Sequence, residues 1–327
     1  MPYTITTIGS TAADYTKVSL WDSGTDAATS NQEGQLQNEV HTEATTSVTI
    51  AGATVLRRLT CVAGAFHTRK RLTGAQTSGF RVISSETGFE IIRTSHRIIG
   101  GGSTLRRINL TGANQVVDGC LVTDAESAVA GGIYASGSST GAIVRNCIVF
   151  GVSQHGIAID TGAVSGSVMN CTIGNCGKRG ITMVGTDDLR CQNNISCGNR
   201  DPVLDPNEGG DIAGYSDVTH RGWNITSYAI AGGSEATDTI STLGNQITTA
   251  TAGSEDGTLL LNASAVWNGI DLSDLFTTDC DGATRLVPWS IGADDPGIIP
   301  TIKTHLPMHG TVKTFLPMAG DSGFSTS

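Results

Sequence analysis

Four side chains in the middle of the chain have the types needed for general acid–base chemistry: His155, Asp160, Lys178 and Arg179. Such work needs a proton acceptor and a donor or neutralising charge within reach of the same reacting group. His155 and Arg179 are 24 residues apart, so a repeat of that length sets one above the other, with Lys178 adjoining and Asp160 beside the same corner. The plainer reading is that polar residues collect wherever a corner meets solvent. Hydrolysis by paired carboxylates needs clustered acids, and residues 143 to 183 contain only Asp160.

Two further groups have metal-ligating types. The stretch DPVLDPNEGGD brings Asp201, Asp205, Glu208 and Asp211 together, a conceivable calcium loop. It lacks EF-hand spacing, and its prolines and glycines suit an exposed turn. Cys171, Cys176, Cys191 and Cys197 invite a zinc reading, but four, fourteen and five residues intervene between them, unlike the tight pairs of zinc sites. No cofactor is expected.

Those cysteines have a better explanation in an internal repeat. VVDGCLV, IVRNCIV and SVMNCTI superpose with Cys120, Cys147 and Cys171 in one column and Val122, Val149 and Ile173 in another. RCQNNIS and RGWNITS continue them weakly, placing Asn193 and then Trp223 after the cysteines, Ile195 and Ile225 after the valines, and Cys191 at the position of Met169. Cys176 and Cys197 fall near the following corner on successive turns. A second strand column runs through Gly132-Ile133, Gly156-Ile157 and Gly180-Ile181 at steps of 24. Short strands at that period, with Gly or Asn at the corners, predict a solenoid of stacked parallel turns, an all-β parallel β-helix with Cys120, Cys147, Cys171 and Asn193 as an interior ladder. Successive turns lie about 4.8 Å apart, giving roughly seven turns over residues 55–230.

The ends of such a rod need covers. Residues 1–54 are expected to supply one: Asp14 as N-cap of a helix over Tyr15 to Asp22, Val18 and Trp21 on its inner side and Gly24 closing it. Residues 231–295 are expected to form irregular last turns and a cover folded over the final one. Composition agrees with the class: 42 glycines in 327 residues and 15% charged residues disfavour helices. A net charge of -10 opposes nucleic acid as a partner. No apolar run is long enough to span a membrane, the opening MPYTITTIGS has no signal pattern, and the cysteines read as free thiols of a reducing cytoplasm.

Residues 296–327 form a tail with a tandem repeat, TIKTHLPMHG and TVKTFLPMAG. Pro307 and Pro317 prevent a continuous helix. Ile302, Leu306, Pro307 and Met308 of one copy match Val312, Leu316, Pro317 and Met318 of the other. Either both copies lie back on the rod as strands, or they dock two equivalent grooves on a neighbour.

The opening TIGSTAADYTKVSLWD, the repeated Asn-Cys motif and the closing DCDGATRLVPWSIGAD resemble right-handed parallel β-helix proteins of the pectate-lyase-like type, over about residues 5 to 294. The Tyr-Thr-x-x-x-x-Trp opening paired with the Ile-Gly-Ala-Asp ending is similar to members from phage genomes and bacterial surface proteins. That family includes polysaccharide lyases, hydrolases, tailspikes and inert virion components, so the resemblance implies fold more firmly than function. With Trp21, Trp267 and Trp289 in the presumed covers, few aromatic platforms remain for sugars. The expectation is a non-enzymatic bacteriophage structural protein, a head-decoration or similar capsid-bound rod, made in the host cytoplasm and residing in the virion. It would be a homotrimer joined to the major capsid protein or another virion protein through its tail. A tail-associated spike binding a surface glycan, or a polysaccharide lyase, is the alternative.

Overall fold

A short strand with alternating apolar residues cannot bury its inner face alone, and this chain lays each strand parallel on its counterpart in the preceding turn. The computed structural model describes residues 2–8, 13–25, 28–37, 47–61, 81–98, 106–124, 131–136, 139–163, 165–185, 188–200, 210–214, 219–230, 235–252 and 254–296. Two units are distinguished, Met1–Gly297 and Ile298–Ser327. The second, which carries the tandem repeat from Ile302 to Met318, lies outside the described residues.

Three parallel sheets form the walls of the first unit. The first sheet stacks Thr4–Ile8, Gln32–Leu36, Arg57–Cys61, Glu90–Ile92, Val116–Asp118, Ala142–Arg145, Gly166–Met169, Leu189–Gln192 and His220–Gly222. The second begins at Ser95–Ile98 and ends at Thr239–Ile240, and the third runs from Ser47–Ile50 to Ile212–Ala213. Parallel stacking therefore starts at Thr4, well before residue 55. Up the third sheet Ile108, Ile133, Ile157, Ile181 and Ile212 follow one another inward. Val117, Val144, Val168 and Cys191 do the same in the first. The column Gly132, Gly156 and Gly180 enters the third sheet as expected. A Cβ on Gly132 would lie 2.1 Å from the Gly156 carbonyl oxygen, so the backbones themselves exclude a side chain there.

The turn from first to second sheet is made in each rung by one residue of positive φ: Arg93, Gly119, Asn146, Asn170, Asn193 and Trp223, between 50° and 64°. The residue after it points inward. Cys120, Cys147 and Cys171 are therefore stacked and fully buried, and Asn194 and Asn224, not Asn193, continue their column. The same one-residue slip corrects Cys191, which lies opposite Val168 rather than Met169, and Ile195, which lies opposite Thr172 while Ser196 continues the valine column. Its origin is the Asn193-Asn194 pair: the left-handed corner takes the first asparagine, and the second goes inside. There its amide replaces thiol packing with bonds between rungs. Cys171 N donates to Asn194 Oδ1 at 3.0 Å, Asn194 N to Asn224 Oδ1 at 3.0 Å, and Asn224 N to Asp238 Oδ1 at 2.9 Å.

Both covers differ from expectation. The helix is Val18–Thr25, with Val18 and Trp21 buried as anticipated. Asp14 does not cap it but accepts the Thr7 N–H at 2.7 Å. Gly24 lies within the helix, and a Cβ there would meet the Tyr15 ring at 2.7 Å. At the other end, residues 262–296 do not fold over the last turn; they run back as a strap along the corner between first and second sheets. Asn193 Nδ2 donates to Ile270 O (2.8 Å) and Asn170 Nδ2 to Ser290 O (3.2 Å), while Arg285 Nη2 donates to Asn146 Oδ1 (3.0 Å). Ala263, Ala265, Ile291 and Ala293 cover the outer face of the second sheet, where Leu121, Ile148, Ile195 and Ile225 are buried.

The N-terminal cover is tied down by Arg57, whose guanidinium is buried. It donates to Asp22 Oδ1 (2.7 Å), Asp22 O (2.8 Å), Thr25 Oγ1 (2.9 Å) and Glu86 Oε2 (3.0 Å) and lies over the Trp21 ring. Removing one partner of a buried ion pair leaves the other charge uncompensated. Arg57→Ala is therefore expected to cost about 3–5 kcal/mol in urea unfolding, and a loss below about 1 kcal/mol would mean the network is solvated.

Candidate functional site

His155, Lys178 and Arg179 share the corner before the third sheet, since Gly156 N donates to Arg179 O and Gly132 N to His155 O, both at 3.0 Å. The His155 ring meets Thr182 Oγ1 through Nδ1 at 3.4 Å. Asp160 is elsewhere. It lies five residues along an extended strand, about 16 Å from His155 at the usual rise, and accepts the Tyr134 hydroxyl. A base and an acid within reach of one sugar are thus not assembled from these four.

Asp201, Asp205 and Glu208 lie outside the described residues. Asp211 is 2% exposed, which removes it from a solvated loop or open calcium site. Its carboxylate accepts Asn199 Nδ2 (2.8 Å), Asn199 N (3.4 Å), Tyr228 N (3.1 Å) and Ser227 N, joining two turns. Burial nevertheless pushes its pKa up to about 6 against those bonds. The cysteines are equally structural: all eight are buried free thiols. Cys176 stacks on Asn199, which accepts its N–H at 3.1 Å, while Cys197 lies opposite Gly174, so the two do not face one another. Desolvation raises the thiols of Cys120, Cys147, Cys176, Cys191 and Cys197, which keeps them protonated and unreactive.

The charged cluster lies on the outer face of the first sheet, in turns whose register the sequence alone leaves unfixed. Stacking aligns Glu33, Arg58, Glu90 and Val116 in one outward column, and Ile92, Asp118 and Arg145 in the next. Arg58 Nε donates to Glu33 Oε2 at 2.7 Å, and its guanidinium lies 4.0 Å from the Tyr3 ring centroid. Arg145 Nε donates to Asp118 Oδ2 at 2.9 Å and stacks on the strap's Phe276. Glu90 lies in the field of both guanidiniums, yet desolvation dominates and raises its pKa. Beside it Glu33, Gln35, Arg58, Thr60, Ile92 and Arg93 line a shallow depression of about 410 Å³. Two guanidiniums and three carboxylates on one wall can hold a hydroxyl-rich chain by charge-assisted bonds. The signal was present in RRL, FEI, VVD and VRN, where polar residues alternate with inward apolar ones.

Compared with family models, the chain matches right-handed β-helix regions over residues 59–225, about half its length. Neither a curated protein nor a solved structure gives a match.

The raised Asp211 pKa has a signed consequence. The folded carboxyl binds its proton more tightly than the unfolded one, so stability rises as pH falls through about 6 towards the ordinary value of 3.8. Between pH ~7 and ~5 this contributes about 1 kcal/mol. Urea unfolding at both pH values should show that gain in wild type and lose it in Asp211→Asn; equal pH dependence in the two proteins would refute the assignment.

Proposed function

The chain belongs to the right-handed β-helix family, and from that membership we propose that it is a non-enzymatic structural component of a bacteriophage particle, a head-decorating or similar capsid-bound rod. The observation that carries this reading is the neutralisation of the outer wall from within. Arg58 is committed to Glu33 and Arg145 to Asp118, while the strap occupies the face of the second sheet. Charges already paired within the wall keep their partners when copies pack against it, so they cost less to desolvate than unpaired ions would. The opening and closing motifs, with their resemblance to phage β-helix proteins, supply the virion setting.

In this reading three copies pack side by side, closed symmetry being usual for homo-oligomers. The tail, through Leu306, Met308, Leu316 and Met318, holds each rod to the capsid. Synthesis is in the host cytoplasm and residence in the virion. A second reading, a tail-associated glycan-binding spike or polysaccharide lyase, is favoured by Glu90, a half-buried acid with raised pKa between Arg58 and Arg145.

Incubation with acidic polysaccharides, followed by the ultraviolet absorbance of unsaturated products, separates the two. The structural reading expects no product, and a particle reconstruction in which density for the rod is lost after truncation at Pro300. Product formation that disappears in Glu90→Gln or Arg58→Ala selects the enzyme, and a protein absent from the particle overturns the structural reading.

A further inference from the structure

The two ends of a parallel stack leave strand edges that must be paired, covered or blocked. At the start of the rod, helix Val18–Thr25 covers the apolar core but not the edge of the first strand. Within Thr4–Ile8, the end residues bond to the second strand: Thr4 N donates to Asn31 O at 2.8 Å and Gln37 N to Ile8 O at 2.9 Å. Alternation in a parallel pair then turns the backbone groups of Ile5 and Thr7 to the far side, where the described residues place an isolated parallel bridge between Ile8 and Tyr15 but no further strand. The Thr7 groups are both used. Asp14 Oδ2 accepts the Thr7 N–H (2.7 Å) and hydroxyl (3.1 Å), and Tyr15 N donates to Thr7 O (3.1 Å). Among the described residues Ile5 has no such cover, and its side chain is 58% exposed.

We infer that Asp14 is an edge plug that keeps this end of the rod from pairing with the same end of a second copy. The partner follows from geometry. Two copies related by a two-fold axis at Ile5 bring their first strands together antiparallel, and an opposed antiparallel pair of the hydrogen-bonded type exchanges both N–H···O bonds. Ile5 presents one donor and one acceptor to the same edge, so it is complementary to itself. Extending the pair beyond Ile5 requires the Thr7 N–H, which the Asp14 carboxylate holds; the Thr7 carbonyl, although bonded to Tyr15 N, keeps a second lone pair. One bonded pair with flanking positions blocked is too short to hold two proteins; a run across residues 3 to 7 is a strand of ordinary length. The same two bonds from Thr7 hold the Asp14 carboxyl below its usual range, so the plug remains ionised through neutral and mildly acidic solution.

The test is the solution mass of Asp14→Ala relative to wild type by light scattering over a concentration series, with circular dichroism to establish that the β-rich fold is retained. The mass is expected to double with increasing concentration. Asp14→Asn, which keeps an acceptor for the Thr7 N–H, is expected to stay at the wild-type mass. Asp14→Ala/Ile5→Lys, which places like charges on the two-fold axis, is expected to return to it. A folded Asp14→Ala protein at wild-type mass overturns the plug. Association that Ile5→Lys does not reverse overturns the edge as its location and points to general exposure of the core, and association of Asp14→Asn overturns the hydrogen bond as the means.

Discussion

A left-handed residue at one fixed place in each rung is the constraint to which the other features answer. For an L-residue that conformation costs on the order of 1–2 kcal/mol, less for asparagine, whose short amide bonds locally. Asparagine accordingly fills the middle corners, Asn146, Asn170 and Asn193, whereas Arg93 and Trp223 stand at the two ends of the run. With the bend fixed at one residue, the next points into the core and the one after it outward. A slip of one position would exchange the side chains that face the core for those that face the strap, so the corner sets register for the whole second sheet. It also explains the polar interior: Thr94, three cysteines and then Asn194 and Asn224 succeed one another in a single column because each follows its corner.

The same corners receive the strap. An asparagine in this conformation aims its amide away from the core, and the strap's backbone supplies partners at successive levels. Asn193 makes a two-way pair with Ile270, donating at 2.8 Å and accepting at 3.0 Å. Gly119 has no side chain at its level, and there the strap's Cys280 carbonyl approaches so closely that a Cβ would lie 2.9 Å from it. Side chains and backbone alternate as the means of attachment, set by what each rung offers. Sealing the second sheet in this way leaves the first and third sheets as the unit's outward walls, and concentrates the described guanidinium–carboxylate pairs on the first.

Much of this was legible in advance because it repeats. Cys120, Cys147 and Cys171, and the glycine column from Gly132, each recur with enough identity to fix their own alignment. The ladder failed at RCQNNIS for a physical reason: two adjacent asparagines suit the corner and the interior equally in composition, and only backbone geometry separates them. Asp14 misled for a similar reason, since a carboxylate beside an open strand edge and one at a helix start satisfy the same kind of orphan N–H. The charged wall around Glu90 was missed because alignment between Arg58, Glu90 and Asp118 crosses long insertions that hide the period. His155 and Arg179 were stacked correctly, but Asp160 was misplaced by treating nearness in sequence as nearness along an extended strand.

Repeating and non-repeating parts are attached by different physics. Within the stack, backbone ladders and apolar columns supply cohesion, and one rung is held to the next by the same bonds wherever it sits. A cover has no register to inherit and needs directional bonds to fix its place. Both covers use a buried arginine for this. Arg57 holds the helix end through Asp22 and Thr25 and stacks on Trp21, while Arg285 holds the strap through the carbonyls of Gly292 and Ala293 and stacks on Trp289, each guanidinium 5.4 Å from its ring. The Arg285 environment is the more costly, since desolvation lowers its pKa despite Asp279 and Asp295 nearby. A planar fork of five donors can satisfy several carbonyls at once and reject other placements, which a thiol or a methyl group cannot do. Specificity of placement thus explains why a chain so sparing of charge commits Arg57 and Arg285 to its interior, each where a non-repeating segment meets the stack.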